Sequence, residues 1–110
     1  MIRGAWTLYT GVQFRAKGTR IRIGSPDNRC FANPDDDIQV LIIDTESRHL
    51  PPAEAAAVVR RVVREAVAAG VQYIYKKTDS GLRGNIGAEL SAALEASGQN
   101  LLHFIPAYPQ

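Results

Sequence analysis

The sequence predicts an α/β fold, a three-layer helix-sheet-helix sandwich built on a mainly parallel sheet. The first observation is the nearly continuous apolar run QVLIID at residues 39–44, which is typical of a strand covered on both faces. The second is the alternation of such strands with segments of helical periodicity. Because strands that alternate with helices of this length are joined by right-handed crossovers, we expect them to lie parallel.

Two strands are predicted in the first half of the chain. The segment TRIRI, residues 19–23, alternates polar and apolar residues, which indicates a strand near a sheet edge with one buried face. Residues 39–44 form the buried strand. The connection between them, residues 25–37, holds two prolines, two asparagines and an acidic triplet, so we expect an irregular surface loop. A short helix is predicted around residues 11–17.

Two longer helices follow. Pro51 and Pro52 are predicted to begin the first of these helices. Proline has no backbone N–H, and in the first turn of a helix an N–H group would have no hydrogen-bond partner within the helix. The first helix is predicted to extend to Ala69, with Gly70 ending it. Its apolar residues recur at helical spacing, which predicts packing on the sheet: Ala55, Val58, Val59, Val62, Val63, Ala66 and Val67. The second helix is predicted over residues 85–97.

Two further strands are predicted at residues 71–76, VQYIYK, and at residues 101–105. Tyr73 and Tyr75 alternate on one face of the first of these and are expected in the core. In parallel sheets, ligands bind beyond the carboxyl ends of the strands. The functional candidates are therefore the polar segments that follow two strands, residues 44–48 and 76–87.

Composition excludes several classes of function. The chain has 110 residues, 45% of them apolar, and a formal net charge of +2, which predicts one small folded domain and no nucleic-acid partner. No apolar run approaches the length of a membrane span, and no signal peptide is recognisable, so we expect a cytoplasmic protein without a membrane partner. Cys30 is the single cysteine, so neither a disulfide nor a cysteine-based zinc site is expected within one chain.

Residues 76–87 have the chemistry of an anion site. Lys77 and Arg83 are cationic, and the backbone N–H groups at the start of the second helix favour a carboxylate or phosphate. Asp79 and Ser80 offer groups for hydroxyls, so a ligand with an acid group and neighbouring hydroxyls would use the whole set. The same residues are equally compatible with a tight glycine turn and solvated charges, and the spacing G-x-x-G-x-x-G matches no nucleotide-binding motif.

The segment KTDSGLRGNIGAEL, residues 77–90, resembles the signature KxDSTLRGNIGxEL of the four-carbon acid sugar kinase family. Residues 44–48, DTESR, resemble the family's D-T-x-S/T-R element, and residues 106–109, PAYP, resemble the start of its P-A-F/Y-P element. TGVQF at residues 10–14, followed by Lys17 and Gly18, is similar to the first helix of that fold. The resemblance is to the family's N-terminal, substrate-binding domain.

This resemblance implies phosphoryl transfer from ATP to a hydroxyl of a tetronate or 3-oxo-tetronate. Matched by position, the residues expected to bind the substrate's carboxylate and hydroxyls are Arg48, Lys77, Asp79, Ser80, Arg83 and Asn85. No catalytic residue and no metal ligand is assigned. ATP and Mg²⁺ belong to the family's second domain, so residues 1–110 are expected to form a single, incomplete acid-sugar-binding domain.

Three departures from the family pattern matter. The family opens with a strand ending in D-D-x-T-G-A, whereas this chain begins MIRGA, so we expect both aspartates and that central strand to be absent. Trp6, Leu8 and Tyr9 are accordingly expected only as packing residues ahead of the first helix. Gly81 replaces a threonine, and the sequence ends before the family's G-R. These departures predict a truncated domain, inactive alone, whose exposed sheet edges allow homo-oligomers.

Two alternatives stay open. The first is a non-catalytic interaction or regulatory module that keeps the fold while its pocket has decayed. The second is a polypeptide that works only when a separate chain supplies the ATP-binding lobe. His49 is expected as a solvated loop residue and His103 as a structural one.

Overall fold

The computed structural model describes residues 5–9, 21–26, 40–79 and 81–106, with the backbone alone for residues 5–9 and 21–23. The described elements are the strands β1 (Ala5–Tyr9), β2 (Ile21–Gly24), β3 (Val40–Asp44) and β4 (Tyr73–Lys76) and the helices α1 (Pro52–Ala68) and α2 (Ile86–Ser97). The helix predicted around residues 11–17 lies outside the described residues, as do Cys30 and the acidic triplet at residues 35–37.

The four strands form one sheet in the order β2-β3-β1-β4, and every neighbouring pair is parallel. The α/β prediction with a parallel sheet is therefore confirmed. The expected loss of the central strand was wrong, because β1 pairs with both β3 and β4 and places Thr7 opposite Ile42 and Tyr75. The segment AWTLY is rich in β-prone residues, and strand pairing uses backbone groups that do not require the family's aspartates.

The core lies between β3 and the two helices. Leu41, Ile42 and Ile43 are 2%, 3% and 2% exposed, which confirms that β3 is covered on both faces. Leu41 and Ile43 belong to one apolar cluster with residues of α1 and α2, so both helices cover the same face. The helical members of that cluster are Val59, Val62, Val63, Ala66, Ala92 and Ala93. Ile42 is absent from this cluster and, by the alternation of side chains along a strand, faces the opposite side.

Helix α1 begins as its two prolines predicted. Pro51 is the N-cap residue, with φ −55° and ψ 146°, and Pro52 begins the helix. Valine is a mediocre helix former, so burial of the valines against the sheet stabilises α1 more than intrinsic propensity does. Gly70 follows the helix with φ +83°, a left-handed conformation that favours glycine.

Strand β4 is at the edge of the described sheet, and this explains one wrong prediction. Tyr73 and Tyr75 were expected in the core but are 69% and 62% exposed, whereas Ile74 between them packs against the core cluster. An edge strand has one neighbour, and within the described part of the chain nothing covers its tyrosine face.

The strand predicted at residues 101–105 was also wrong. This segment is irregular in the structure, and Leu101, Phe104 and Ile105 are exposed. Its apolar composition fits a strand, but a strand exists only through hydrogen bonds to a neighbour, and the segment pairs with no described strand. Neither described helix has the length and apolar composition that a membrane span requires.

Candidate anion-binding site

Two loops meet beyond the carboxyl ends of β3 and β4. Residues 45–50 follow β3, and residues 77–85 lead from β4 into α2. A contact of 3.3 Å between Arg48 Nη1 and Asp79 Oδ1 joins the two loops across 31 positions of sequence. The parallel sheet thus brings together the two polar segments that the sequence placed after separate strands.

Asp79 is the centre of this arrangement. Its Oδ2 accepts hydrogen bonds from Gly81 N (2.9 Å), Arg83 N (3.3 Å) and Arg83 Nε (2.9 Å). Its Oδ1 accepts from Arg83 Nη2 (2.9 Å) and Arg48 Nη1 (3.3 Å). Both carboxylate oxygens are therefore surrounded by donors, and two of the three donor residues are arginines.

These contacts hold the pKa of Asp79 well below its usual range. The largest cause is the side-chain hydrogen bonding from Arg83, which outweighs the opposing effect of burial. The backbone N–H groups of Arg83 and Gly81 and the charge of Arg83 lower the pKa further. Asp79 is consequently ionised at neutral pH and orients two guanidinium groups, while Arg48, Lys77 and Arg83 give the predicted site residues a net positive charge.

The turn after Asp79 has an unusual backbone. Leu82 N donates to Asp79 O at 2.9 Å, and Leu82 has φ +55°, a conformation that a leucine rarely adopts. Such strained positions occur preferentially at functional sites. Ser80, another predicted site residue, lies outside the described residues. Lys77, at the start of the loop, donates from Nζ to Thr78 O at 3.3 Å.

Arg48 is packed closely against Gly84. A Cβ atom added to Gly84 would lie 2.7 Å from Arg48 Cγ, and Gly84 has φ +92°. Both the space and the backbone conformation therefore require glycine here. His49 is exposed, as predicted, and its Nε2 lies 3.1 Å from Arg48 Nη2. The side chains of Arg48 and Arg83 are 39% and 70% exposed, so both are partly accessible to solvent.

Asn85 connects the two loops at the start of α2. Its Nδ2 donates to Leu50 O at 2.7 Å and to Ser47 O at 3.3 Å. Asn85 is the N-cap residue, yet its side chain makes no capping hydrogen bond to the helix. The first turn of α2 therefore has no side-chain cap, and its N–H groups, the positive end of the helix dipole, lie beside the arginines.

Sequence reasoning missed a buried polar network that includes Ser47, the residue before Arg48. Lys76 Nζ lies 3.4 Å from Glu89 Oε2, and both side chains are 5% exposed. Ser47 Oγ donates to the other oxygen of Glu89, and Thr45 Oγ1 lies 2.9 Å from Ser47 Oγ. The available signal was the position of Glu89 on the buried stripe of α2, three and four residues before Ala92 and Ala93.

No group of three or more His, Cys, Asp or Glu side chains that could hold a metal ion occurs among residues 5–9, 21–26, 40–79 and 81–106. The charged groups that the two loops bring together are the guanidinium groups of Arg48 and Arg83 and the carboxylate of Asp79. Arginines can bind a carboxylate through two parallel hydrogen bonds, and a hydroxyl can donate to a carboxylate in place of one of its other donors.

Comparison with known proteins identifies the class to which this fold and site belong. A model of the sugar-binding N-terminal domain family matches residues 7–110. The chain belongs to this family of sugar-binding N-terminal domains.

Two curated relatives are D-threonate kinases. The protein from Bordetella bronchiseptica is 42% identical over 103 residues, which cover 91% of this chain and 25% of the relative. The protein from Salmonella typhimurium is 38% identical over 101 residues, covering 91% of this chain and 23% of the relative. The chain therefore spans about a quarter of the length of these kinases.

Two crystal structures of a domain of unknown function from Bordetella bronchiseptica are similar in fold. Both are described as domain-swapped dimers with bound citrate. The first has a TM-score of 0.77 and 36% identity, covering 87% of this chain and 27% of the other. The second has a TM-score of 0.67 and 43% identity, covering 72% of this chain and 20% of the other.

Proposed function

We propose that this domain binds the four-carbon acid sugar substrate of an ATP-dependent kinase, with D-threonate as the first candidate. The observation that carries the proposal is the convergence of Arg48 and Arg83 on the ionised Asp79, in a chain 42% identical to a D-threonate kinase. The citrate bound in the related crystal structures is also a small hydroxylated carboxylate.

Each predicted site residue has a role in this proposal. The guanidinium groups of Arg48 and Arg83 bind the substrate carboxylate, with Lys77 adding positive charge. Asp79 keeps the guanidinium groups in place and, in exchange for one of its present donors, accepts a hydrogen bond from a substrate hydroxyl, and Ser80 contacts the hydroxyls as well. Asn85 keeps the two loops together at the edge of the site and lies within reach of the substrate.

ATP and Mg²⁺ would come from outside the described residues. Such a kinase transfers a phosphoryl group mainly by positioning its reactants and neutralising charge, and Mg²⁺ would supply part of that neutralisation. Because the family resemblance implies that ATP and Mg²⁺ belong to a second domain, we assign to this chain only the binding and orientation of the acid sugar. We expect the 110 residues to be inactive as a kinase without an ATP-binding domain.

The proposal includes the architecture and location of the domain. We propose that helices cover both faces of the sheet, as in a three-layer sandwich, and that the protein is cytoplasmic. Burial of Ile42 on the face away from α1 and α2 supports the second layer. The strand order also supports a second layer. Along the sheet β2-β3-β1-β4, the step from β1 to β2 runs in one direction and the step from β3 to β4 runs in the opposite direction. If both crossovers are right-handed, their connecting segments lie on opposite faces of the sheet.

Calorimetric titration of the 110-residue chain with D-threonate tests the proposal. We expect binding by the unmodified chain and about tenfold weaker binding by Arg83→Gln, which loses a charge-assisted contact. Arg60→Gln is the matched control, because Arg60 pairs with Glu95 on exposed surface of α1 and α2. Absence of both heat and thermal stabilisation at millimolar D-threonate, or equal affinity of the two variants, would contradict the proposal.

A second candidate function is a non-catalytic interaction module. Its specific support is the exposed tyrosine face of the edge strand β4, which suits association with another chain, and the related structures are domain-swapped dimers. Native mass spectrometry distinguishes the two functions. A stable dimer that is insensitive both to D-threonate and to Arg83→Ala would favour the interaction module.

A further inference from the structure

A buried ion pair, Lys76–Glu89, joins the strand and the helix that flank the loop of residues 77–85. Lys76 is the last residue of β4 and Glu89 lies near the start of α2, so the pair joins the end of a strand to a helix at the site. Burying two charges is costly, and replacing such a pair with apolar residues often leaves a protein as stable. Stability alone therefore does not account for this pair, and its neighbours point to a further role.

The second oxygen of Glu89 reaches the loop after β3. The carboxylate of an ion pair only accepts hydrogen bonds, so the Ser47 hydroxyl is the donor in the hydrogen bond to Glu89 Oε1. The Thr45 hydroxyl, 2.9 Å from Ser47 Oγ, must then donate to Ser47. Ser47 is 0% exposed. It cannot touch a dissolved ligand, and any influence on ligand binding has to act through its neighbours.

The next residue in the chain is Arg48, whose Nη1 contacts Asp79. Glu89 holds Ser47 by its side chain while Asn85 holds the Ser47 carbonyl, so the backbone that carries Arg48 is attached to α2 at two points. We propose that Glu89 is a positioning residue, which through the Ser47 hydroxyl sets the Arg48 guanidinium in place for an anionic ligand. The inference rests on the proposed function for the identity of that ligand, but the placement of Arg48 can be measured without it.

The structure supplies an internal comparison. Arg83 is held by Asp79, within its own loop, through two side-chain contacts of 2.9 Å. The side chain of Glu89 makes its described contacts with Ser47 and Lys76, and none of the described hydrogen bonds joins it to a residue of that loop. Loss of the Glu89 contact to Ser47 should therefore loosen Arg48 and leave Arg83 ordered, whereas a general loss of structure would loosen both.

The experiment measures ¹⁵N relaxation of the arginine Nε–H groups in the 110-residue chain. Ser47→Ala removes the hydroxyl and keeps the Lys76–Glu89 pair. We expect the Nε–H of Arg48 to lose order in this variant while that of Arg83 is unchanged. Unchanged order at Arg48, or an equal loss at both arginines, would overturn the proposal.

A second variant protects the test against misfolding. In the double variant Lys76→Met/Glu89→Leu, apolar side chains of similar size replace the buried pair, so no unpaired charge remains in the interior. Ser47 nevertheless loses its acceptor. A folded double variant with a mobile Arg48 supports the positioning role, and a folded one in which Arg48 keeps its order overturns it.

Titration with D-threonate separates this inference from the proposed function. We expect Ser47→Ala to weaken binding by about threefold to tenfold, and to have no further effect once Arg48→Ala is present, because both changes act on the same contact. Arg60→Gln serves again as the control. If the unmodified chain fails to bind D-threonate, the proposed function fails, and the relaxation measurement still decides the role of Glu89.

Discussion

Arg83 and Asp79 form a two-point ion pair within a single loop. Arg83 Nε lies 2.9 Å from Asp79 Oδ2, and Arg83 Nη2 lies 2.9 Å from Asp79 Oδ1. A parallel pair of hydrogen bonds fixes the plane of the guanidinium group as well as its distance. Although 70% of the Arg83 side chain is exposed, the group is held in a defined orientation beyond the end of β4.

The first prediction concerns the pKa of Asp79. Because Arg83 is the main cause of its lowering, Arg83→Met should return the pKa of Asp79 toward the ordinary value of about 3.9. In the unmodified chain the carboxylate should stay ionised at about pH 3, where most aspartates are protonated. The ¹³C chemical shift of the Asp79 carboxyl, followed through an acid titration, measures the pKa in the unmodified chain and in Arg83→Met. Identical titration curves in the two proteins would refute the assignment.

The second prediction concerns stability and pH. A carboxylate with a depressed pKa in the folded state stabilises the fold above its unfolded pKa, and this contribution is lost as pH falls toward the folded value. Asp79→Asn should therefore destabilise the chain at neutral pH, and the difference should shrink below about pH 4. Urea unfolding of both proteins at neutral and at acid pH measures this difference in the free energy of unfolding. A difference that grows in acid would contradict the prediction.

The third prediction compares two glycines with similar backbone conformations. Gly70 and Gly84 have φ of +83° and +92°, but a Cβ atom would meet nothing within 4 Å at Gly70 and would lie 2.7 Å from Arg48 Cγ at Gly84. Gly70→Ala should cost about 1 kcal/mol from backbone strain alone. Gly84→Ala should cost about 2 kcal/mol or more and displace Arg48, which weakens ligand binding. Equal effects on D-threonate affinity would show that the contact with Arg48 is unimportant.

The fourth prediction concerns Asn85. Asn85→Ala removes the donor to the carbonyls of Leu50 and Ser47 and should lower the free energy of unfolding by about 1–3 kcal/mol. Asn85→Asp should cost more at neutral pH, because it places a carboxylate against two carbonyl oxygens. Urea unfolding ranks the variants. If the aspartate variant is the more stable of the two, the amide does not hold the loops together as described.

Much of the local structure was predictable from residue patterns. The two prolines of α1, its valine stripe and the apolar run of β3 are signals contained within short segments, and the structure confirms them except at Val67, which was predicted to pack on the sheet and is 44% exposed near the end of α1. The meeting of Arg48 and Asp79 was also expected, since both follow parallel strands. Whether the predicted residues bind an acid sugar stays a prediction.

Contacts between distant segments were harder to predict. The pairing of β1 with β3 and β4, and the lack of a strand at residues 101–105, depend on which backbone finds a neighbour, and composition does not report this. The contact between Ser47 and Glu89 spans 42 positions. Each of these two residues, viewed alone, resembles an ordinary polar residue of a loop or a helix.

The sequence by itself determined the class of fold, the two long helices, the buried strand and the charged residues placed after the strands, because periodicity and charge are local properties. Only the tertiary structure decided the order of the strands, the exposure of the β4 tyrosines and the burial of Lys76 with Glu89. These three features depend on contacts between segments that are distant in sequence. A buried ion pair needs both partners, and a strand is at an edge only when a second strand pairs with one of its sides and none with the other.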